Sequence, residues 1–345
     1  MKKPLIIIIL IILPLAYIAS RSRIENSILP YTLESKKYDA IKSSLIALGD
    51  YPEGVKNILE SAGFEIISKP NYGLHRYLEM LKNAPNAKTV IYSPGLNEVS
   101  ERRISSKSIR SFSKNFESYT KTKPSYLSRI RFFIKSLTQD QKKLSKEIKI
   151  QSPYDTEQVL AHKDSLLKIL AIELRLLFQW SKRNKVHLVL MTQPHLFSIK
   201  EDSPCYQLDG KLKKVFKVAT DYSKSGKLKK AINLNRQLLA AQKYHSTVNY
   251  LQAILYKNNS EPLEAIKYFK KAQDMQCSLH YTQNGFNSVV RQTAHSKKID
   301  LIDIALLVER KIIASNKFVN YKKILKSRKF YISEKIKNLL FSSSI

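Results

Sequence analysis

Residues 43–68 read SSLIALGDYPEGVKNILESAGFEIIS and contain three successive patterns. The apolar run at 43–49 is typical of a buried strand, and residues 52–63 have the spacing of an amphipathic helix that ends at Gly63. The apolar run at 64–68 predicts a second strand. A strand, a helix and a strand in so short a stretch predict parallel strands joined by a crossover helix.

The same alternation continues downstream. A short helix, LHRYLEMLKNA, precedes the apolar run at 90–92, which predicts a third strand. A long amphipathic helix over about 156–184 leads into VHLVLMT at 186–192, a nearly continuous apolar run of the kind that is buried on both faces of a sheet. The last strand is predicted over 299–305, in IDLIDIA, and YISEKIKNLLF predicts a closing helix. We therefore expect an α/β fold built on a parallel sheet.

Between Asp209 and Gln276 the pattern is helical throughout and contains an internal repeat. Four residues recur thirty-four positions later: Ala219, Tyr222, Ala231 and Ile232 correspond to Ala253, Tyr256, Ala265 and Ile266. This spacing is typical of tetratricopeptide helices, in which small side chains let antiparallel helices pack closely. Because two repeats are fewer than such units usually need, we expect them to pack against the α/β domain. A structural arm is favoured slightly over a peptide-binding surface.

The chain carries 60 Lys and Arg against 28 Asp and Glu, a formal net charge of +32. Nucleic-acid-binding modules cluster basic residues with aromatic residues, and no such cluster is found. The densest basic segment, at 102–149, alternates its charges with serine and apolar residues, as on a solvated helix face. A basic surface gains about 1 kcal/mol per Lys or Arg held near anionic lipid, so the charge suits a membrane better than nucleic acid. A merely solvated surface is the alternative.

The N-terminus contains a candidate membrane segment. Two lysines precede sixteen uncharged residues at 4–19, whereas a spanning helix needs about 17–25 residues and a signal-peptide core about 7–15. Because Tyr17 stands two residues before Ala19, cleavage after Ala19 is poorly supported. We therefore expect residues 1–23 to be an uncleaved single-pass anchor in the cell membrane. The signal-like layout predicts that the domain lies on the extracytoplasmic side.

No motif for a metal or a cofactor is found in the sequence. Cys205 and Cys277 form no C-x-x-C pair and lack the neighbours of a zinc site. There is no glycine-rich phosphate loop, which argues against a nucleotide enzyme. We expect neither a metal nor a cofactor.

Several short motifs follow one another in order: Gly49-Asp50, then YPEGVKNILESAGFEI, Gly73 in NYG, Gly95 and Asn97 in GLNE, VLMTQPHLF, and FNSVVRQTAHSKKIDLIDI. In this order they resemble the SGNH/GDSL hydrolase superfamily, in a form with tetratricopeptide-like helices inserted before the last strand. The resemblance covers roughly residues 43–340. It implies a flavodoxin-like, three-layer parallel sheet.

The resemblance also implies a catalytic role for each motif. In the family a serine attacks an ester carbonyl, and a histidine, positioned by an aspartate three residues before it, takes the proton of that serine. In the family, the oxyanion is held by a backbone N–H of a glycine in the second conserved motif and by the side-chain amide of an asparagine in the third. The corresponding residues here are Gly73 and Asn97. Gly49 and Asp50 are what remains of the first motif, Gly-Asp-Ser in the family.

The catalytic half of the family pattern is missing. Tyr51 follows the first motif in place of serine, and the alignment puts Asn320 and Lys323 at the positions of the aspartate and the histidine. All seven histidines lie at or before His295, and no aspartate follows Asp303. We therefore expect a catalytically degenerate member of the family.

Other residues of the sequence are candidate substitutes for the missing catalytic ones. Ser43 and Ser44 lie at the wrong end of the first strand, and Ser93 precedes its turn. His195 follows a strand at a suitable edge, but a lone histidine in a loop is more often a surface residue than a base. Tyr51 would need a pKa far below about 10 to act as a nucleophile, and the sequence shows no partner that would lower it.

The predicted organisation is an anchor at 1–23, an α/β domain at 24–205 with a basic helical insertion at 100–150, a helical insertion at 206–280, and the rest of the α/β domain at 281–345. The expected function is a binding or scaffolding module at the cell envelope. Its expected partners are the membrane, a protein on the helical repeats, and an acyl or glycan ligand, but not nucleic acid. The alternatives are an acyl-ester hydrolase or O-acyl transferase with rearranged catalytic residues, and a tetratricopeptide-type adaptor.

Overall fold

The computed structural model describes residues 40–69, 72–95, 98, 156–195, 197, 208–276, 283–318, 332–334, 336 and 338. Its elements are β1 (Leu45–Gly49), α1 (Glu53–Ser61), β2 (Glu65–Ile67), α2 (Leu74–Leu81), β3 (Thr89–Ser93), α3 (Thr156–Arg183), β4 (His187–Met191), α4 (Gly210–Lys224), α5 (Leu228–Ala241), α6 (Ser246–Asn258), α7 (Pro262–Asp274), α8 (Gln283–Lys297), β5 (Asp300–Ile302) and α9 (Ile304–Ser315). The described residues do not include the predicted anchor, the basic insertion, either cysteine, Asn97, Asn320 or Lys323.

The five strands form one parallel sheet in the order β2-β1-β3-β4-β5. The predicted α/β fold with a parallel sheet is therefore confirmed. This is one of the two common strand orders of doubly wound sheets, and the order reverses between β1 and β3. In such sheets the crevice for ligands opens at the carboxyl ends of the two strands that flank the reversal.

Apolar helices cover both faces of the sheet. Ile46, Leu48 and Tyr92 are buried on one face, against α2, α3 and α8. Ala47 and Ile91 are buried on the other face, against α1 and α9. Successive strand residues point to opposite faces, so a strand covered on both sides must be apolar at nearly every position. This is the physical reason for the continuous apolar runs in the sequence.

The last strand is shorter than predicted. It ends at Ile302, whereas the sequence pattern predicted a strand over 299–305. Asp303 is the cause, because its carboxylate accepts a hydrogen bond of 3.0 Å from the backbone N–H of Leu306 and so caps α9. An aspartate at this position starts a helix even where the following residues are apolar.

Residues 209–276, called the helical unit below, form the four helices α4 to α7, as the helical pattern of this stretch predicts. The four alanines of the internal repeat are fully buried: Ala219, Ala231, Ala253 and Ala265. The unit packs against the α/β part, and all described residues belong to one compact unit. Lys163 of α3 fixes it, because its Nζ donates to the carbonyls of Gln276 at 2.6 Å and Asp274 at 3.1 Å, at the end of α7.

Among the described residues, no helix is both long enough and apolar enough to cross a bilayer. The predicted closing helix is seen in part, since residues 332–334 are helical. Ile332 and Ile336 are buried in the core on the face of the sheet that α1 and α9 cover.

Candidate functional site

The crevice between β1 and β3 begins with a close approach of their last residues. Gly49 has φ +106, and a Cβ on it would collide with the carbonyl oxygen of Ser93. The next backbone N–H, of Asp50, donates to the same oxygen at 3.0 Å. Only glycine meets both the left-handed backbone and the lack of space. This explains the glycine of the first motif.

Asp50 turns from this point towards the loop after β3. A Cβ on Gly95 would collide with the Asp50 carboxylate, so Gly95 provides the space that this side chain occupies. The structure thus brings two predicted site residues, Gly49 and Asp50, against Gly95 of a second motif far away in the chain.

Tyr51 points back into the sheet. Its hydroxyl lies 2.9 Å from the carbonyl oxygens of Leu48 and Ile91, to which it donates. Burial raises the pKa of Tyr51 well above its usual value, and the nearby Tyr77 and Asp50 raise it further. A phenol with a raised pKa stays protonated at neutral pH and is a poor nucleophile. Tyr51 is therefore a structural residue of the crevice floor.

Gln193, after β4, joins the ends of the three central strands. Its Nε2 donates to Ser93 Oγ at 2.7 Å and to the carbonyl of Asp50. Its backbone is held by Asn287 of α8, which accepts from Gln193 N–H at 2.9 Å and donates to Gln193 C=O at 2.8 Å. The sequence motif contained Gln193 but gave it no role, and Asn287 was missed. Both have partners about a hundred positions away.

The predicted oxyanion position Gly73 is buried at the N-cap of α2. Its φ of −93 suits any residue, so the backbone conformation does not require glycine. The first backbone N–H groups of a helix lie at such a position. The second predicted oxyanion residue, Asn97, is outside the described residues, while its neighbour Glu98 is buried and accepts a hydrogen bond from Tyr92.

His195 is buried, with 2% of its surface exposed, so the expectation of a surface histidine is wrong. The helical unit covers it through Phe197, whose ring lies 5.9 Å from that of Phe269. Nε2 of His195 lies 2.7 Å from Oε1 of Glu309, and Nζ of Lys270 lies 2.7 Å from the same oxygen. The carboxylate of Glu309 favours the protonated ring, and Lys270 opposes it.

These contacts shift both pKa values of the pair. Burial lowers the pKa of His195, and this outweighs the opposing effect of Glu309. Burial alone would raise the pKa of Glu309, but His195 and Lys270 together lower it. In the described part of the chain, no hydroxyl is hydrogen-bonded to His195. Among the described residues, the histidine therefore has a carboxylate beside it but no hydroxyl that it could activate.

Ser43, Ser93 and Asp303 have structural roles. Ser43 donates to the carbonyl of Leu45 at 2.8 Å, and Ser93 is fully buried. The carboxylate of Asp303 accepts from Thr192 Oγ1 at 2.8 Å and from Arg291 Nε at 2.7 Å. Burial tends to raise the pKa of Asp303, but these bonds and the Leu306 N–H lower it overall. Asp303 therefore remains ionised as a helix cap.

A second polar pair lies beside Gly73. Nδ1 of His75, in α2, lies 3.9 Å from Oε1 of Glu173, in α3. Glu173 is fully buried, and burial raises its pKa well above the usual value. The sequence reasoning missed this pair, because nothing in the helical pattern distinguished Glu173 from an exposed glutamate.

The described residues contain no group of three or more His, Cys, Asp and Glu that could hold a metal ion. The crevice is built from Gly49, Asp50, Tyr51, Gly95 and Gln193. Among these, Gln193 donates to the carbonyl of Asp50, and Tyr51 donates to backbone carbonyls of the sheet. Comparisons of the chain with protein-family models, with curated proteins and with solved structures give no match.

Proposed function

We propose that the chain is an SGNH/GDSL-like domain that has lost ester hydrolysis and acts as a binding or scaffolding module at the cell envelope. The strand order supports this proposal, because it is the flavodoxin-like order that the family resemblance implies. The motif residues Gly49, Asp50 and Gly95 meet at the carboxyl ends of β1 and β3, where such folds bind ligands.

The observation that carries the proposal is the state of Tyr51. It stands where the family has its nucleophilic serine, and its hydroxyl donates to two backbone carbonyls. Its raised pKa opposes ionisation. Triad enzymes that lose these residues keep only about 10³–10⁴-fold catalysis over water, from the oxyanion hole and binding. A site of this kind is better suited to holding an acyl or glycan ligand than to cleaving it.

A hydrolase or O-acyl transferase with rearranged residues is the second candidate, and the pair of His75 and Glu173 favours it. An imidazole beside a carboxylate resembles the supporting half of a catalytic triad. The distance of 3.9 Å is longer than a hydrogen bond, and the raised pKa of Glu173 favours its neutral form. A neutral carboxyl group stabilises an imidazolium poorly, so this candidate ranks second.

We propose that the helical unit is tetratricopeptide-like. An adaptor function would require an exposed apolar groove on this unit. The most exposed large apolar residues there are Val218, Tyr244 and Leu263. Tyr244 precedes α6 and Leu263 follows it, so the 13 residues of this helix separate them by about 20 Å. Scattered residues of this kind favour a structural arm.

For localisation, we propose that residues 1–23 anchor the domain in the membrane, with the domain on the extracytoplasmic side. The support is the uncharged segment at 4–19. Extraction of cell membranes at alkaline pH tests the anchor: the full chain should stay in the pellet, and a chain lacking residues 1–23 should not.

The loss of activity is tested with p-nitrophenyl acetate and the full-length chain in detergent. We expect the same hydrolysis from the wild type, Tyr51→Phe and His75→Gln, no faster than from a heat-unfolded sample. Hydrolysis that His75→Gln abolishes would establish the second candidate instead.

A further inference from the structure

Basic residues are concentrated at one end of the helical unit. Residues 209–230 contain eight lysines and two aspartates. All eight lysine side chains are exposed, and no ion pair in the described part of the chain joins any of them to a carboxylate. They are Lys211, Lys213, Lys214, Lys217, Lys224, Lys227, Lys229 and Lys230.

The second half of the same unit is different. Residues 246–276 contain four lysines and three acidic residues. Two of these lysines are paired, since Lys267 lies 3.2 Å from Glu264 and Lys270 lies 2.7 Å from Glu309. The positive charge is therefore a local property of α4 and the start of α5, and a lysine-rich composition does not by itself explain this asymmetry.

The packing of α4 turns the lysines outward. Ala219 is the one buried residue of this fully described helix, and it packs against α5 and α6 together with Phe216 and Tyr222. Lys213, Lys217 and Lys224 lie on the opposite side, at helical spacings of four and seven residues. The result is a charged face whose lysines form no ion pair with a carboxylate of the described residues.

The chemistry of this face fits a surface of many weak negative charges. Its cations are lysines, which act as point charges, whereas planar recognition of single phosphates favours arginine. Single-stranded nucleic acid also needs open aromatic rings for base stacking. Of the two aromatic residues among these lysines, Phe216 packs into the helical unit, and Tyr222 has Lys227 and Lys230 over its ring, each 5.9 Å from the centroid. Clusters of four to eight lysines suit anionic lipid headgroups.

We propose that the exposed face of α4, the α4–α5 turn and the first turn of α5 form a docking surface for anionic phospholipid headgroups. None of its residues belongs to the crevice. It would hold the helical unit against a bilayer and so fix the direction in which the crevice opens.

The test uses the full-length chain in lipid nanodiscs of phosphatidylcholine, with or without phosphatidylglycerol. Lysines are acetylated with a water-soluble reagent, and the modified positions are measured by mass spectrometry. We expect acetylation of Lys213, Lys214 and Lys217 to fall about fivefold only with phosphatidylglycerol, because each contact is worth about 1 kcal/mol. High salt should abolish the protection. The exposed lysines Lys56 and Lys298 should react equally in both discs.

A variant confirms the assignment. Replacement of Lys213, Lys214, Lys217 and Lys224 by Gln should weaken binding to phosphatidylglycerol vesicles by about 30-fold or more, as expected for several contacts. A control variant with Gln at Lys42, Lys56, Lys88 and Lys298 has the same net charge and should bind like the wild type. Equal acetylation in both discs, or equal loss in the two variants, overturns the proposal. Protection by an oligonucleotide but not by phosphatidylglycerol would assign the surface to a soluble polyanion instead.

Discussion

Gln193 donates from Nε2 to Ser93 Oγ over 2.7 Å, although a hundred positions separate the two residues. The same nitrogen also donates to the carbonyl of Asp50, so one side chain joins the ends of β1, β3 and β4. The polar groups at this edge of the sheet are thus engaged with one another. In our proposal this bonding replaced a catalytic site with a rigid floor.

The first prediction concerns the residue that holds Gln193. Asn287→Ala removes two hydrogen bonds and leaves the buried N–H and C=O of Gln193 without partners. We expect the free energy of unfolding, measured with urea, to fall by about 3 kcal/mol. The exposed Asn233→Ala should change it by less than about 0.5 kcal/mol. Equal effects of the two substitutions would show that Gln193 is held by other means.

Gly49→Ala tests the close approach of β1 and β3. The methyl group would collide with the carbonyl of Ser93, and the φ of +106 is strained for alanine. We expect a loss of about 3 kcal/mol or more of stability, or no folded protein. Gly210→Ala is the matched control, because a Cβ there meets nothing within 4 Å. A folded Gly49→Ala protein as stable as the control would contradict the geometry.

The sequence predicted the sheet well, because strands buried on both faces leave a local signal. The runs around Ala47, Ile91 and Val189 are apolar regardless of their partners in the sheet. The error at the last strand also has a local cause, since Asp303 follows an apolar run and caps a helix. The preference of aspartate for the N-cap position is the local signal that marks this boundary.

The polar contacts could not be predicted in this way. His195 follows a strand like many surface histidines, but Glu309 of α9 lies against its ring, and Lys270 of the helical unit binds the same glutamate. Gln193 finds its partners on other strands, a hundred or more positions away. These contacts depend on tertiary packing, and the sequence contains no local signal for them.

Lys163 gives a prediction about alkaline pH. Burial lowers its pKa from 10.5 to about 8, against the opposing effect of Asp274. Below pH 8 both states are protonated, and the folded state bears the cost of a buried ammonium group. Between pH 8 and 10.5 the unfolded chain binds more protons, so this group makes the protein more stable as the pH rises.

Between pH 8 and 10.5, the contribution of Lys163 to the free energy of unfolding should rise by about 3 kcal/mol. Stability should be measured with urea at several pH values for the wild type and for Lys163→Met. As the pH rises, the free energy of unfolding of the wild type should increase relative to that of Lys163→Met. The exposed Lys298→Met should follow the wild type throughout. A pH-independent difference for Lys163→Met would mean that the buried amine does not titrate in this range.

His195 gives a prediction of the same sign, at acidic pH. Burial lowers its pKa in the folded state, so its contribution to stability is present above about pH 6.5 and is lost as the pH falls. Glu309, Lys270 and Arg291 face the imidazole, and the two cations oppose its protonation. Between pH 7 and pH 5, the wild type should lose more stability than His195→Gln. The exposed His295→Gln serves as control and should lose as much as the wild type.

The central claim is that the crevice has no activated nucleophile, and fluorophosphonate labelling tests it most directly. The full-length chain, shown to be folded by circular dichroism, is treated with the reagent and examined by intact mass and peptide mapping. The account predicts no adduct on any serine, and none on Tyr51. A single stoichiometric adduct on one serine would contradict it and would identify a working hydrolase.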